Sequence, residues 1–174
     1  MQVDKNIFHK FVSNNTITGF AKHDKSGIML KGLEKIANLL RKEHYSEKSM
    51  PFVDQQCINL DTVEKELAKI EHRNRRNTVD FIIGTGSNWI LPVEAKIAVE
   101  KPRNMEVGDL RKKIEYSKSI VNSTNADVHT ETKTIVLLNT KNYQQLYREL
   151  RKKVGDALNI VPMSVSILYN EIFE

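Results

Sequence analysis

Residues 79–96, Val79-Asp80-Phe81-Ile82-Ile83-Gly84-Thr85-Gly86-Ser87-Asn88-Trp89-Ile90-Leu91-Pro92-Val93-Glu94-Ala95-Lys96, decide the fold. Two segments of strand length, rich in Val and Ile, flank a break that contains two glycines, which is the pattern of a β-hairpin. A phosphate-cradling reading of the GTGS segment requires a third glycine at the sixth position and a helix opening directly behind it, so that the phosphate rests on the helix N-terminus. The sixth position is Trp89, and the following WILPVEAKI alternates like a strand and contains a proline. The glycines are therefore predicted to supply the positive φ of a hairpin turn.

Residues two apart on a strand share a face. Asp80 lies with Ile82, and Pro92 lies with Glu94 and Lys96. A turn centred on Ser87 sets Asp80 directly opposite Glu94, and one centred on Gly86 makes them diagonal neighbours, about 5–8 Å apart at Cβ. Two carboxylates on apolar strands repel each other and are costly to desolvate. Lys96 offers partial compensation, and a divalent cation would complete it. A site of oxygen ligands suits Mg2+ or Mn2+, which can hold a phosphate oxygen and acidify a bound water. A lysine two residues on can orient that water or counter the charge developing on phosphorus. This set of groups fits phosphodiester hydrolysis. The structural alternative is an ion pair at the end of a sheet.

Outward from the hairpin, the chain reads as one mixed α/β domain over residues 1–174, with an N-terminal extension, 1–27, left unassigned because its turn formers break any longer element. Met29, Leu33, Ile36 and Leu40 follow helical spacing and predict a helix from Met29 to about His44. QQCINL reads as a short strand. Asp61 with Glu64 three residues on predicts a capped helix to about Arg73, with Val63, Leu67 and Ile70 inward. A third helix is expected from Met105 to Val121, a buried strand in TKTIVLLNT, a fourth helix from Tyr143 to about Leu158, and a closing strand in MSVSILYNEIF.

Val79-Asp80, the hydrophobic hairpin and Glu94-Ala95-Lys96 together resemble the PD-(D/E)xK nuclease superfamily, with Val79 where the family motif has proline. The resemblance covers about Met29 to Asn139. It implies a restriction-endonuclease-like αβββαβ core, a mixed central sheet flanked by helices, here followed by an extra C-terminal helix and strand. It further implies a Mg2+-dependent endonuclease acting on DNA, in which Asp80 and Glu94 bind metal and Lys96 acts on the water. Family members also carry a glutamate on the helix before the sheet. Glu34 matches that position and would complete the metal shell, with Glu43 as the alternative. The same superfamily includes structure-selective junction resolvases and non-catalytic modules that bind DNA or protein, so those functions stand as alternatives. A second acid-x-lysine triplet, Glu131-Thr132-Lys133, lies in a polar stretch without a facing carboxylate and is set aside.

The 27 Lys and Arg against 22 Asp and Glu give a formal charge of +5, compatible with a phosphate-rich partner. Arg73, Arg75 and Arg76 lie just before the hairpin, and Lys112 and Lys113 lie on the third helix; these are the candidate contacts to the nucleic-acid backbone. A homodimer is expected if both strands are cut. Cys57 is the sole cysteine, which excludes an intrachain disulfide and a cysteine-based zinc cluster. No apolar run reaches membrane-spanning length, and MQVDKNIFHK lacks the apolar centre of a secretory signal, so the expected location is the cytosol.

Overall fold

The computed structural model describes residues 8–125 and 127–173; residues 1–7 of the N-terminal extension lie outside it. In chain order the elements are α1 (Asn15–His23), α2 (Ile28–Gly32), β1 (Leu33–Lys35), α3 (Ile36–Lys42), β2 (Gln56–Asn59), α4 (Leu60–Ile70), β3 (Phe81–Thr85), β4 (Trp89–Lys96), α5 (Leu110–Thr124), β5 (His129–Thr130), β6 (Thr134–Leu138), α6 (Tyr143–Val154), β7 (Ile160–Met163) and α7 (Val165–Phe173), with a 3-10 turn at Pro102–Asn104. The strands form one mixed sheet in the order β1-β2-β3-β4-β6-β7, with β5 pairing to β4. β1 through β4 run antiparallel, and β4, β6 and β7 run parallel. Strand β4 is where the sheet changes sense. Among the described residues no helix is long and apolar enough to cross a membrane.

Each face of the sheet buries its own apolar layer. Ile58, Ile82, Ile90, Val136 and Leu138 pack on one side with residues of α1, α2, α4, α5 and α6. Cys57, Phe81, Ile83, Leu91, Val93, Ile135 and Leu137 pack on the other with α3 and α7. Alternate residues of one strand thus enter different cores, as the pleat dictates.

The hairpin forms where the sequence places it, with a shorter connection. Thr85 pairs with Trp89, leaving Gly86-Ser87-Asn88 as the turn, and the ladder Phe81↔Val93, Ile82↔Pro92, Ile83↔Leu91 centres it on Ser87. The two glycines have separate jobs. Gly86 takes φ +57°, the left-handed conformation that glycine tolerates. Gly84 lets α1 press against the strand: a Cβ there would lie 2.8 Å from the Ile17 nitrogen and 2.9 Å from Thr16 Cβ. Because that neighbour is backbone, Gly84→Ala is expected to cost about 2 kcal/mol, read as a lowered urea midpoint with an unchanged slope.

Four expectations are corrected. The helix predicted from Met29 to His44 is broken by β1, because its apolar positions serve different layers: Met29 belongs to one core, and Ile36 and Leu40 to the other. A single helix cannot feed both faces of a sheet. At the break a Cβ on Gly32 would sit 2.8 Å from the Asn59 carbonyl oxygen, so the chain runs flush against β2 and Leu33-Glu34-Lys35 join the ladder opposite Ile58-Cys57-Gln56.

The second helix begins two residues early. Its cap is Asn59, whose side chain accepts from the Thr62 amide at 3.1 Å, rather than Asp61. Glu64 is buried instead of closing a capping box, and Ile70, expected inward, is 60% exposed. The third helix starts at Leu110 rather than Met105, after the turn at Pro102–Asn104 and an irregular link. The closing strand is the largest miss. Val165, Leu168 and Ile172 are buried at helical spacing, and Ser164 Oγ accepts from the Ile167 amide at 3.2 Å, so MSVSILYNEIF ends β7 and then coils into α7.

Candidate active site

Continuing the β3–β4 register one residue beyond Phe81↔Val93 sets Asp80 across from Glu94. Glu94 is 1% exposed, on the face shared with Ile82, Ile90 and Val136. An Asp80 carboxylate oxygen accepts from the Ala95 amide at 2.6 Å, fixing the acid against the C-terminal end of β4. Lys96 Nζ stands 3.5 Å from Glu94 Oε1. Asp80, Glu94 and Lys96 thus come together as their spacing implies.

The same oxygen has a closer partner. Lys113, from the first turn of α5, donates to Glu94 Oε1 at 2.7 Å. Burial pulls the Lys113 ammonium down, but the neighbouring Glu94 charge and hydrogen bond, with Asp80 behind them, raise it overall. Glu94 Oε2, by contrast, is buried and has no hydrogen-bond partner. A buried oxygen of this kind costs about 1–3 kcal/mol unless something satisfies it.

Burial, with Glu94 opposite, pushes the Asp80 carboxyl up to about 7. Burial likewise raises Glu43, and Glu94 adds to that rise. Asp80 and Glu94 therefore do not both carry charge comfortably on these strands. A raised folded pKa means that Asp80 favours folding most at pH below its ordinary value near 3.8, and that this benefit is lost as pH climbs through about 7. Without divalent ions, the protein is expected to lose stability over that interval. Asp80→Asn is expected to remove the loss and to be about 1–2 kcal/mol more stable than wild type at pH 8, as measured by denaturant melts in EDTA.

Glu94, Lys96 and Lys113 line a cleft of about 370 Å³ whose other walls include Asn77, Glu106 and Asp109. A second hollow of about 360 Å³, lined by Arg75, Arg76, Lys112 and Tyr116, shares Asn77 and Asp109 with the first. Glu94 thus lines a cleft that adjoins a basic groove across Asn77 and Asp109.

Glu34 is not among these groups. It sits on β1, where Oε1 accepts from Asn59 Nδ2 at 3.0 Å and Oε2 from Lys42 at 2.8 Å. Glu43, which ends α3, is the acid whose charge Asp80 feels beside that of Glu94. Arg73 also has an internal role: its guanidinium grips the fully buried Glu64, at 2.6 Å for the shorter contact, pairs with Glu71, and meets the Tyr116 hydroxyl. Arg75 pairs with Asp61. Arg76 lies over the Tyr116 ring at 5.1 Å, and Lys112 is exposed beside it in the groove. The second acid-x-lysine triplet has a structural use. Glu131 is 4% exposed and accepts from the His9 backbone amide at 2.8 Å and from Thr85 Oγ1 at 3.1 Å, with His9 Nδ1 at 2.7 Å. His9 stacks on Trp89 with ring centroids 4.2 Å apart, so the segment before α1 is fastened to the hairpin at His9.

Lys113, expected among the contacts to the nucleic-acid backbone, stands on Glu94 in the cleft. It lines the cleft rather than the adjoining groove. Its three-residue spacing from Leu110, a buried position that fixes the phase of α5, was the available signal.

Among the described residues no group of three or more His, Cys, Asp and Glu side chains is gathered to hold a metal ion. The donors that do converge still fit a hard cation. Asp80 and Glu94 offer carboxylate oxygens, one of them buried and unpartnered, beside two lysines that both lie on the other Glu94 oxygen. Comparison with protein-family models, with curated proteins and with solved structures gave no match.

Proposed function

We propose that this chain is a divalent-metal-dependent nuclease that hydrolyses DNA phosphodiester bonds, on a core of restriction-endonuclease type. The observation that carries the reading is Glu94: buried in mid-sheet, opposite a second acid, with one oxygen held by lysines and the other unsatisfied, at the wall of a cleft. The topology supports it. An antiparallel meander of β2, β3 and β4 passes through α5 into β6, which lies parallel to β4. A helix precedes the meander, giving the αβββαβ order, with α4 inserted between β2 and β3.

In this reading Asp80 and Glu94 hold Mg2+ or Mn2+, and Glu43 takes the outer position assigned by sequence to Glu34. The cation, when bound, neutralises phosphate charge and acidifies water. Lys96 then holds the attacking water in place or takes its proton, and it faces the phosphorus side of the cleft with Lys113. Arg75, Arg76 and Lys112 line the groove leading to these groups and bear the phosphates on either side of the cut. Arg73 acts differently, by holding the segment that carries Arg75 and Arg76.

The test is incubation of supercoiled plasmid with the purified protein and Mg2+ or Mn2+, against an EDTA control. Nicked or linear product that depends on metal supports the reading. Intact plasmid, together with intact branched DNA and RNA under the same conditions, would sink it and leave a binding module.

A further inference from the structure

We infer that Lys113 is a built-in competitor for the divalent cation: its ammonium occupies Glu94 in the free protein and must leave before that carboxylate can take the ion. The inference rests on the metal-site reading above.

The lysine-held oxygen of Glu94 is withheld from an ion entering through the cleft. Oε1 receives Lys113 at 2.7 Å and Lys96 at 3.5 Å, and Oε2 is closed off from solvent. Both lysines stand in the wall of the cleft itself. An ammonium and a doubly charged ion on one oxygen repel each other in a partly buried setting, so each weakens the other's hold on the carboxylate.

Lys113 rather than Lys96 is the group displaced. It makes the shorter contact, and its side chain alone has to move, since its backbone is fixed. Ser117 Oγ donates to the Lys113 carbonyl at 2.7 Å and accepts from the Val79 amide at 2.9 Å, clamping this turn of α5 to the residue before Asp80. Released ammonium also has acceptors within reach: Glu106 and Asp109 are exposed acids on the walls of the same cleft. Lys113 thereby raises the concentration of metal at which the site fills.

The experiment is titration of Mn2+ into wild type, Lys113→Met, Lys113→Arg and Glu94→Gln, with free ion followed by electron paramagnetic resonance and folding checked by thermal melts in EDTA. Methionine keeps the apolar stem and removes the charge. Lys113→Met is expected to bind Mn2+ about tenfold more tightly than wild type or better. Lys113→Arg, which keeps the charge, is expected to bind as wild type does, and Glu94→Gln is expected not to bind. Tighter binding by Lys113→Met, including the case in which it alone binds, supports competition. Wild-type binding that Glu94→Gln abolishes and Lys113→Met leaves equal or weakens overturns the inference and leaves the metal site standing. Absence of binding in wild type and Lys113→Met alike overturns both.

Discussion

Lys96→Ala is expected to lower metal-dependent plasmid cleavage by at least about a hundredfold, the usual share of a positioned acid–base group, while Mn2+ still binds. Lys96 is on the same strand face as Glu94, 3.5 Å from its outer oxygen, yet it supplies no ligand to a cation. Its loss should therefore fall on the chemical step. Glu94→Gln is expected to remove cleavage and Mn2+ binding together, since an amide brings no charge to the ion. The two variants separate the roles when rates are taken at saturating metal. Equal loss of Mn2+ affinity in both would show that Lys96 merely holds Glu94 in place, and undiminished cleavage by either would contradict its assignment.

Glu64→Leu is expected to cost about 4 kcal/mol of folding stability, the range found when one member of a buried charged pair is removed. Glu64 is fully buried on α4 and accepts from the Arg73 guanidinium, the Tyr116 hydroxyl and the Arg76 amide at 2.7 Å. Leucine strands all of these donors. Burial raises the Glu64 carboxyl, but the hydrogen bonds from Arg73 and Tyr116 outweigh it and hold the group below the ordinary carboxylate range. A depressed folded pKa gives stability that is present above the unfolded value and lost as pH falls through the folded one. The difference between wild type and Glu64→Leu in urea midpoint is thus expected to be full at pH 7 and to shrink on acidification below about pH 4. A constant gap across that range would mean that packing, not charge, is what Glu64 supplies.

Much of the candidate site was legible because it depends on the shortest-range rules. A period of two along β3 and β4, together with a turn of fixed length, sets Asp80, Glu94 and Lys96 on one face whatever the rest of the chain does. What was not legible depends on partners distant in sequence. Lys113 reaches Glu94 only through the crossover after β4, and Arg73 is drawn inward by Glu64 and Tyr116 from two different helices. Glu34 lies on a strand and not on a helix because its segment becomes β1, a choice made by β2 and not by local propensity. MSVSILYNEIF satisfies a strand and a helix alike in composition; burial of Val165, Leu168 and Ile172 against the sheet decided between them.

Strand β4 is paired along both edges as far as Val93, and the candidate acids sit at the end of that antiparallel ladder, where the β6 edge continues. Its Phe81-side ladder is antiparallel, and Glu94 and Lys96 stand beside Val136 and Leu138 in the parallel one. Amides paired in this way exchange with deuterium only when the whole domain opens, whereas chain ends and edge elements open locally at small cost. The separation of the acids is therefore maintained by the last part of the molecule to melt. Partial fraying of β1 or β7, at the two margins of the sheet, leaves that spacing intact, so loss of catalytic competence on warming would report global unfolding and not local loosening.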